Sequence, residues 1–205
     1  VVSGAESSEA RATELAALAK DALAKAGVAE AQIALRDRTR HGARFARGAL
    51  GEHMLLAEPL ALVRAAEGKR VAEVRTEDLS LEGLIAAVRA AHEAATNAPE
   101  ADGFEGFAGP GEVAPSPPRW AAATAALDAE ARADAVAKVL ARVRAEGLVA
   151  AGMLETQASH VAVVTTRGCA RAASATTAGF RVWALESESG LGSAGFGGHL
   201  HRDVG

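Results

Sequence analysis

Several groups of residues in this sequence have types and spacings that chemistry can use. His92 and Glu93 lie together in "AAHEAATNAPE", residues 90–100. A helical zinc motif presents two histidines about one turn apart, with a glutamate that activates the metal-bound water. The fourth position after His92 is Thr96 and the fifth is Asn97, and neither is a ligand that completes the pair. His92 and Glu93 are therefore expected to be solvated near a helix C-terminus, where the dipole favours histidine. His199 and His201 in "GGHLHRD" would share one side of a strand, as His-x-His metal pairs do, but a glycine-rich tail is expected to leave them exposed. Gly190, Gly192 and Gly195 match Gly-x-Gly-x-x-Gly. A pyrophosphate site needs a helix after such glycines, and none can follow "FGGHLHRDVG". These glycines are expected at a sheet edge against which another backbone or domain packs closely.

Cys169 follows Arg167 and Gly168 at a predicted hairpin tip, where a guanidinium would lower a thiol pKa. No His-Asp or His-Asn arrangement can be assigned to it, so an incidental cysteine is the expectation. Arg36, Arg38 and Arg40 alternate along one strand face, with Arg44 and Arg47 nearby. Such a stripe could attract phosphates, but it is expected to be a solvated sheet face.

The elements that must position these residues follow from hydrophobic period and punctuation. Leu15, Leu18, Ala19 and Leu23 form one stripe of a helix over residues 8–26, stopped by Gly27. Polar and apolar residues then alternate to Thr76, with breaks expected at Gly42, Gly48 and Glu67-Gly68, which predicts antiparallel strands joined by tight turns. Ser80 is the expected N-cap of a second helix ending before Pro99, with Leu84, Ile85 and Val88 on its buried face. Residues 98–127 gather five of the six prolines and read as a loop crossing the surface in extended form. A third helix spans 128–146, with Val136, Val139, Leu140 and Val143 on one face, and strand-like alternation resumes after Gly147.

Composition bounds the function. A net charge of -4 gives no overall attraction to nucleic acid or an anionic membrane. One cysteine excludes an internal disulfide framework and a thiolate zinc cluster within the chain, which fits a reducing cytoplasm. Aromatic residues are only 3% of the chain against 49% hydrophobic, so Ala, Val and Leu must fill the core and let helices pack closely. No run of about 20 apolar residues suggests a membrane span. A chain that starts at Val1 and stops after a glycine-rich run is expected to be a piece of something longer.

The two halves are alike. Adding 120 to a residue number carries Gly27 to Gly147, Ile33 to Met153, Arg47 to Arg167 and Gly48 to Gly168. An ungapped offset running from helix into hairpin predicts a duplicated helix-plus-antiparallel-sheet unit. The fold class expected is α/β of the α+β type, with helices on one face of the sheet.

Several strings, in their order and spacing, resemble the N-terminal domain of the TldD/PmbA family, also called TldD/TldE or modulator of DNA gyrase proteins. They are "RFARGAL", "GKRVAEVRTEDLSLEGLIAAVRAA", "VVTTRGC" with "ATTAGF", and "SGLGSAGFGGHLHRDV". "VVTTRGC" and Thr176-Thr177 lean towards the PmbA/TldE side. The resemblance implies a single N-terminal domain over 1–205, built of halves at about 8–97 and 128–198. It also implies a cytoplasmic homodimer or heterodimer with a TldD/PmbA-type subunit, enclosing a chamber in which peptides are processed. Zinc is implied only for a C-terminal domain absent from this sequence or for a TldD-type partner, whose His-Glu-x-x-x-His motif is not found here. The chain itself is expected to supply subunit contacts and chamber wall, with no catalytic, cofactor-binding or metal-ligating residue. A freestanding, non-enzymatic binding or scaffold module of the same fold is the alternative.

Overall fold

A computed structural model describes residues 4–115, 119–186 and 193–200, with the backbone alone for 4–8 and 193–200. Its elements run α1 (Gly4–Ala26), β1 (Ala31–Ala46), β2 (Ala49–Ala57), β3 (Leu60–Glu67), β4 (Arg70–Thr76), α2 (Leu81–Thr96), α3 (Ala122–Ala126), α4 (Ala129–Ala145), β5 (Val149–Thr165), β6 (Ala170–Leu185) and β7 (Ser193–Leu200). The strands form a sheet in the order β4-β3-β1-β5-β6-β7, and β2 pairs with β1 off that path. Their pairing is antiparallel, as the α+β reading of the sequence expects. Thr166 N–H donates to the Ala31 carbonyl and Gly48 N–H to the Ala150 carbonyl, so β5 runs against β1 as well.

The chain divides into two compact units. The first comprises Val1–Arg38, Glu58–Pro118 and Ser159–Ser174, and the second Thr39–Ala57, Arg119–Ala158 and Ala175–Gly205. Strands β1, β5 and β6 are long enough to give a stretch to each.

In the first unit, α1 and α2 pack on one sheet face. Leu15, Ala19 and Leu23 of α1 meet Ile33 of β1, Val63 of β3, Val88 of α2 and Val164 of β5 in one core. The period-two run Ala31, Ile33, Leu35 is buried as a half-covered strand requires. Ser80 caps α2 as expected, its Oγ accepting from Gly83 N–H at 3.0 Å. The Asp78 carboxylate accepts in turn from Ser80 N–H at 2.9 Å.

In the second unit, α4 lies over Ala43 and Phe45 of β1 and Ala150 and Leu154 of β5, through Val136 and Leu140. Phe45 stacks on Phe180 of β6 with ring centroids 6.0 Å apart. The Asp128 carboxylate caps α4 by accepting from Ala131 N–H at 2.8 Å. Arg47 (φ 54) and Gly48 (φ 71) make the two-residue β1–β2 turn, and positive φ at both positions gives the twist that a tight hairpin needs.

Two sequence expectations are corrected. Gly42 does not break the chain; β1 passes straight through it, because a residue without Cβ fits beneath Met54, whose Cε would be 3.1 Å from any added Cβ. Nor is 98–127 simply an extended surface loop. Phe107 is buried, its N–H donates to the Glu30 carboxylate at 2.8 Å, and its ring meets Phe104 edge-on. Within "WAAATAAL" the alanines favour a short helix, α3, whose Thr124 is buried.

Candidate functional site

The sequence candidates are not brought together. His92 is half-buried on α2 with Nε2 3.9 Å from a Glu67 carboxylate oxygen at the end of β3. Glu93 uses its backbone carbonyl to accept from Thr96 Oγ1. Among the described residues no group of three His, Cys, Asp or Glu is placed to hold a metal. Cys169 is fully buried just before β6, and its N–H donates to Thr165 Oγ1 at 3.1 Å. Gly190, Gly192 and His201 lie outside the described residues; Gly195 and His199 fall in β7, at one end of the strand order.

The arginine stripe separates into pairs with different surroundings. In the first unit Arg38 makes an ion pair with Glu58 at 2.9 Å. In the second, Arg40 lies 3.6 Å from Glu155. Arg44 is exposed and makes no ion pair among the described residues.

Arg44 leads to the feature that the sequence reading missed. On the second unit's sheet, the face turned away from α4 carries a groove of about 360 Å³. Its position follows from register. Gly42 and Arg44 on β1 stand directly opposite Met54 and Glu52 on β2. A β-bulge then leaves Gly51 without a partner, because Phe45 pairs with Leu50. Met153 of β5 and Arg181 and Trp183 of β6 add their side chains to the lining, which also takes in Phe45, Ala46, Ala151 and Gly152. β1, β5 and β6 give alternate residues, Phe45, Leu154, Phe180 and Val182, to the α4 core.

Gly42 forms a floor between Met54 and Met153, since a Cβ there would touch both side chains. Trp183 is 40% exposed. Its register partner on β7 is Gly195, and that of Arg181 is Gly197. The groove thus joins two polarizable methionines and an indole to two guanidiniums and a single carboxylate, Glu52. Methionines suit apolar groups of varied shape, and the arginines suit carboxylates. None of the described residues lining the groove is a nucleophile with a base beside it.

A polar cluster lies under the N-terminal end of α4. Arg132 is 4% exposed and donates to the Leu127 carbonyl and, at 3.4 Å, to Thr156 Oγ1. Burial lowers the pKa of His41, and the Arg132 charge lowers it further. Burial also lowers that of Arg132, against the opposing pull of Asp128.

The architecture is α+β, with helices packed on antiparallel strands in each unit. Solved structures with this fold include TldE from Thermococcus kodakarensis, which aligns with a TM-score of 0.72 at 15% identity, over 88% of this chain and 42% of that one. A protein described as a modulator of DNA gyrase from Thermotoga maritima aligns at 0.71 and 15%, over 93% and 42%. Another so described, from Bacteroides thetaiotaomicron, aligns at 0.68 and 13%, over 91% and 44%. The chain shares their fold and spans less than half of their length. No protein-family model matches the sequence, and no curated protein is similar to it.

Proposed function

We propose that this chain is an N-terminal domain of the TldD/PmbA kind, leaning to the TldE side, which makes subunit contacts and lines part of a peptide-processing chamber without performing the chemistry. The observation that carries this reading is a fold shared with TldE over 88% of the chain but only 42% of that protein. The family-like strings fall on successive elements, from the β1–β2 turn through α2 to the β5–β6 hairpin. The groove of the second unit supplies a surface of the right chemistry for peptide contact.

Zinc belongs, on this reading, to another domain or to a TldD-type partner. His92 does not fit it: Thr96 and Asn97 stand where a second ligand would be needed, and its ring faces a Glu67 carboxylate oxygen at 3.9 Å. No helix among the described residues is long and apolar enough to cross a membrane.

The test is reconstitution. The chain is mixed with a TldD-type subunit, and association and peptide hydrolysis are measured with and without a chelator. Stable association, with hydrolysis dependent on the partner and its metal, is the expected result. Metal-dependent hydrolysis by the purified chain alone would overturn the reading.

A further inference from the structure

We propose that the groove on the open sheet face of the second unit selects extended peptides that carry an apolar side chain next to a carboxylate. The apolar group lies against Met54, Met153 and Trp183, and the carboxylate meets Arg44 or Arg181. This deepens the peptide-handling reading and rests on it.

Three observations select this ligand. The first is charge. Arg44 and Arg181 are exposed, neither makes an ion pair among the described residues, and Glu52 is the single acidic residue in the lining. Arg40, on the same face of the same strand, already faces Glu155 at 3.6 Å and is less available. Unpaired guanidiniums beside an apolar surface favour a carboxylate, because the apolar wall weakens competition from water.

The second is shape. Trp183 and Arg181 have glycines, Gly195 and Gly197, as their register partners on β7. The groove of about 360 Å³ beside them has room for a side chain between the indole and the methionines. The third is the apolar chemistry itself. Two thioethers and an indole 40% exposed adapt to several aliphatic or aromatic groups. A polyanionic nucleic acid fits less well, since Glu52 would oppose phosphates and the whole chain is acidic at -4.

The experiment uses the full chain and two dye-labelled, end-capped peptides, one alternating Leu and Glu and its twin with Gln for every Glu, read by fluorescence anisotropy. The acidic peptide is expected to bind about tenfold tighter than its twin at low salt. Arg44→Gln together with Arg181→Gln should remove that preference, and Trp183→Ala should weaken both peptides alike. All three positions are exposed, and circular dichroism checks that the variants fold. Equal binding of the twins through Trp183 would leave the peptide reading standing and overturn the carboxylate selection. No binding of either peptide would remove peptide contact from this groove altogether. A single-stranded oligonucleotide that competes as well as the acidic peptide would overturn the choice of ligand.

Discussion

Gly152 gives the sharpest test of how the second unit is built. It lies on β5 facing the α4 core, where a Cβ would overlap the Arg181 carbonyl oxygen and stand 2.6 Å from Phe45 Cζ. Comfortable carbon–carbon contact is about 3.5–4.0 Å, so the Phe45 ring must retreat by roughly 1 Å. It has little freedom to do so, because it is 1% exposed and stacked on Phe180. The Arg181 carbonyl is backbone and can move only with β6. Overpacking alone costs about 1–3 kcal/mol, and disturbing a backbone hydrogen bond adds about 1, so Gly152→Ala should destabilise by about 3 kcal/mol. In a chain of this length that corresponds to a melting temperature lower by roughly 6–12 °C. The control is Gly179→Ala on β6, where an added Cβ meets nothing within 4 Å; it should stay within about 0.5 kcal/mol of the parent. Urea and thermal denaturation followed by circular dichroism measure both. A Gly152→Ala protein as stable as the parent, or a Gly179→Ala protein equally damaged, would refute the account.

Ser80→Ala should lower stability by about 1 kcal/mol, because the Gly83 N–H loses its acceptor at the start of α2; Ser80→Asp should retain most of it, and equal losses in the two would contradict capping as the cause. His41 has a folded-state pKa held below its ordinary value of 6.5 by burial and then by the Arg132 charge, so the folded state favours the neutral ring. The unfolded chain binds the proton first as pH falls. This contribution to stability is therefore full above 6.5 and is lost as pH drops through that value towards the lower folded pKa; His41→Gln should flatten the pH dependence of the urea midpoint there, and an unchanged slope would refute it. Cys169 should resist an aromatic disulfide reagent in native buffer and react in denaturant, since it is 0% exposed; rapid native labelling would show that its burial is wrong.

Much of the fold was legible in local pattern. The apolar stripe around Leu15 and Leu23 and the Ser80 cap mark helices by spacing and by side-chain chemistry that act within one or two turns. Gly27 and Gly147, 120 positions apart, each stand between a helix and a long strand with φ 71, the left-handed conformation that a helix-ending glycine supplies. Gly42 misled because the same residue serves turns and close approaches, and only the methionine above it tells which. Phe107 was read into a loop because proline and glycine dominate its surroundings, while the carboxylate that holds its N–H belongs to Glu30, 77 positions away.

The groove shows the same division. The sequence by itself determines that Arg44, Met54, Met153, Arg181 and Trp183 occupy alternating positions in strand-like segments, because side-chain alternation is a property of a single extended chain. It also excludes a helical His-Glu zinc pair at His92, whose fourth and fifth neighbours are threonine and asparagine. Which of those positions meet was decided by tertiary structure alone. Register sets Gly42 against Met54 and Arg44 against Glu52, the bulge at Gly51 moves Phe45 opposite Leu50, and α4 covers the face that Phe45 shares with Leu154. A slip of one residue in register would exchange the two faces. The groove on the uncovered face is thus a consequence of pairings between segments far apart in the chain, and no single segment encodes it.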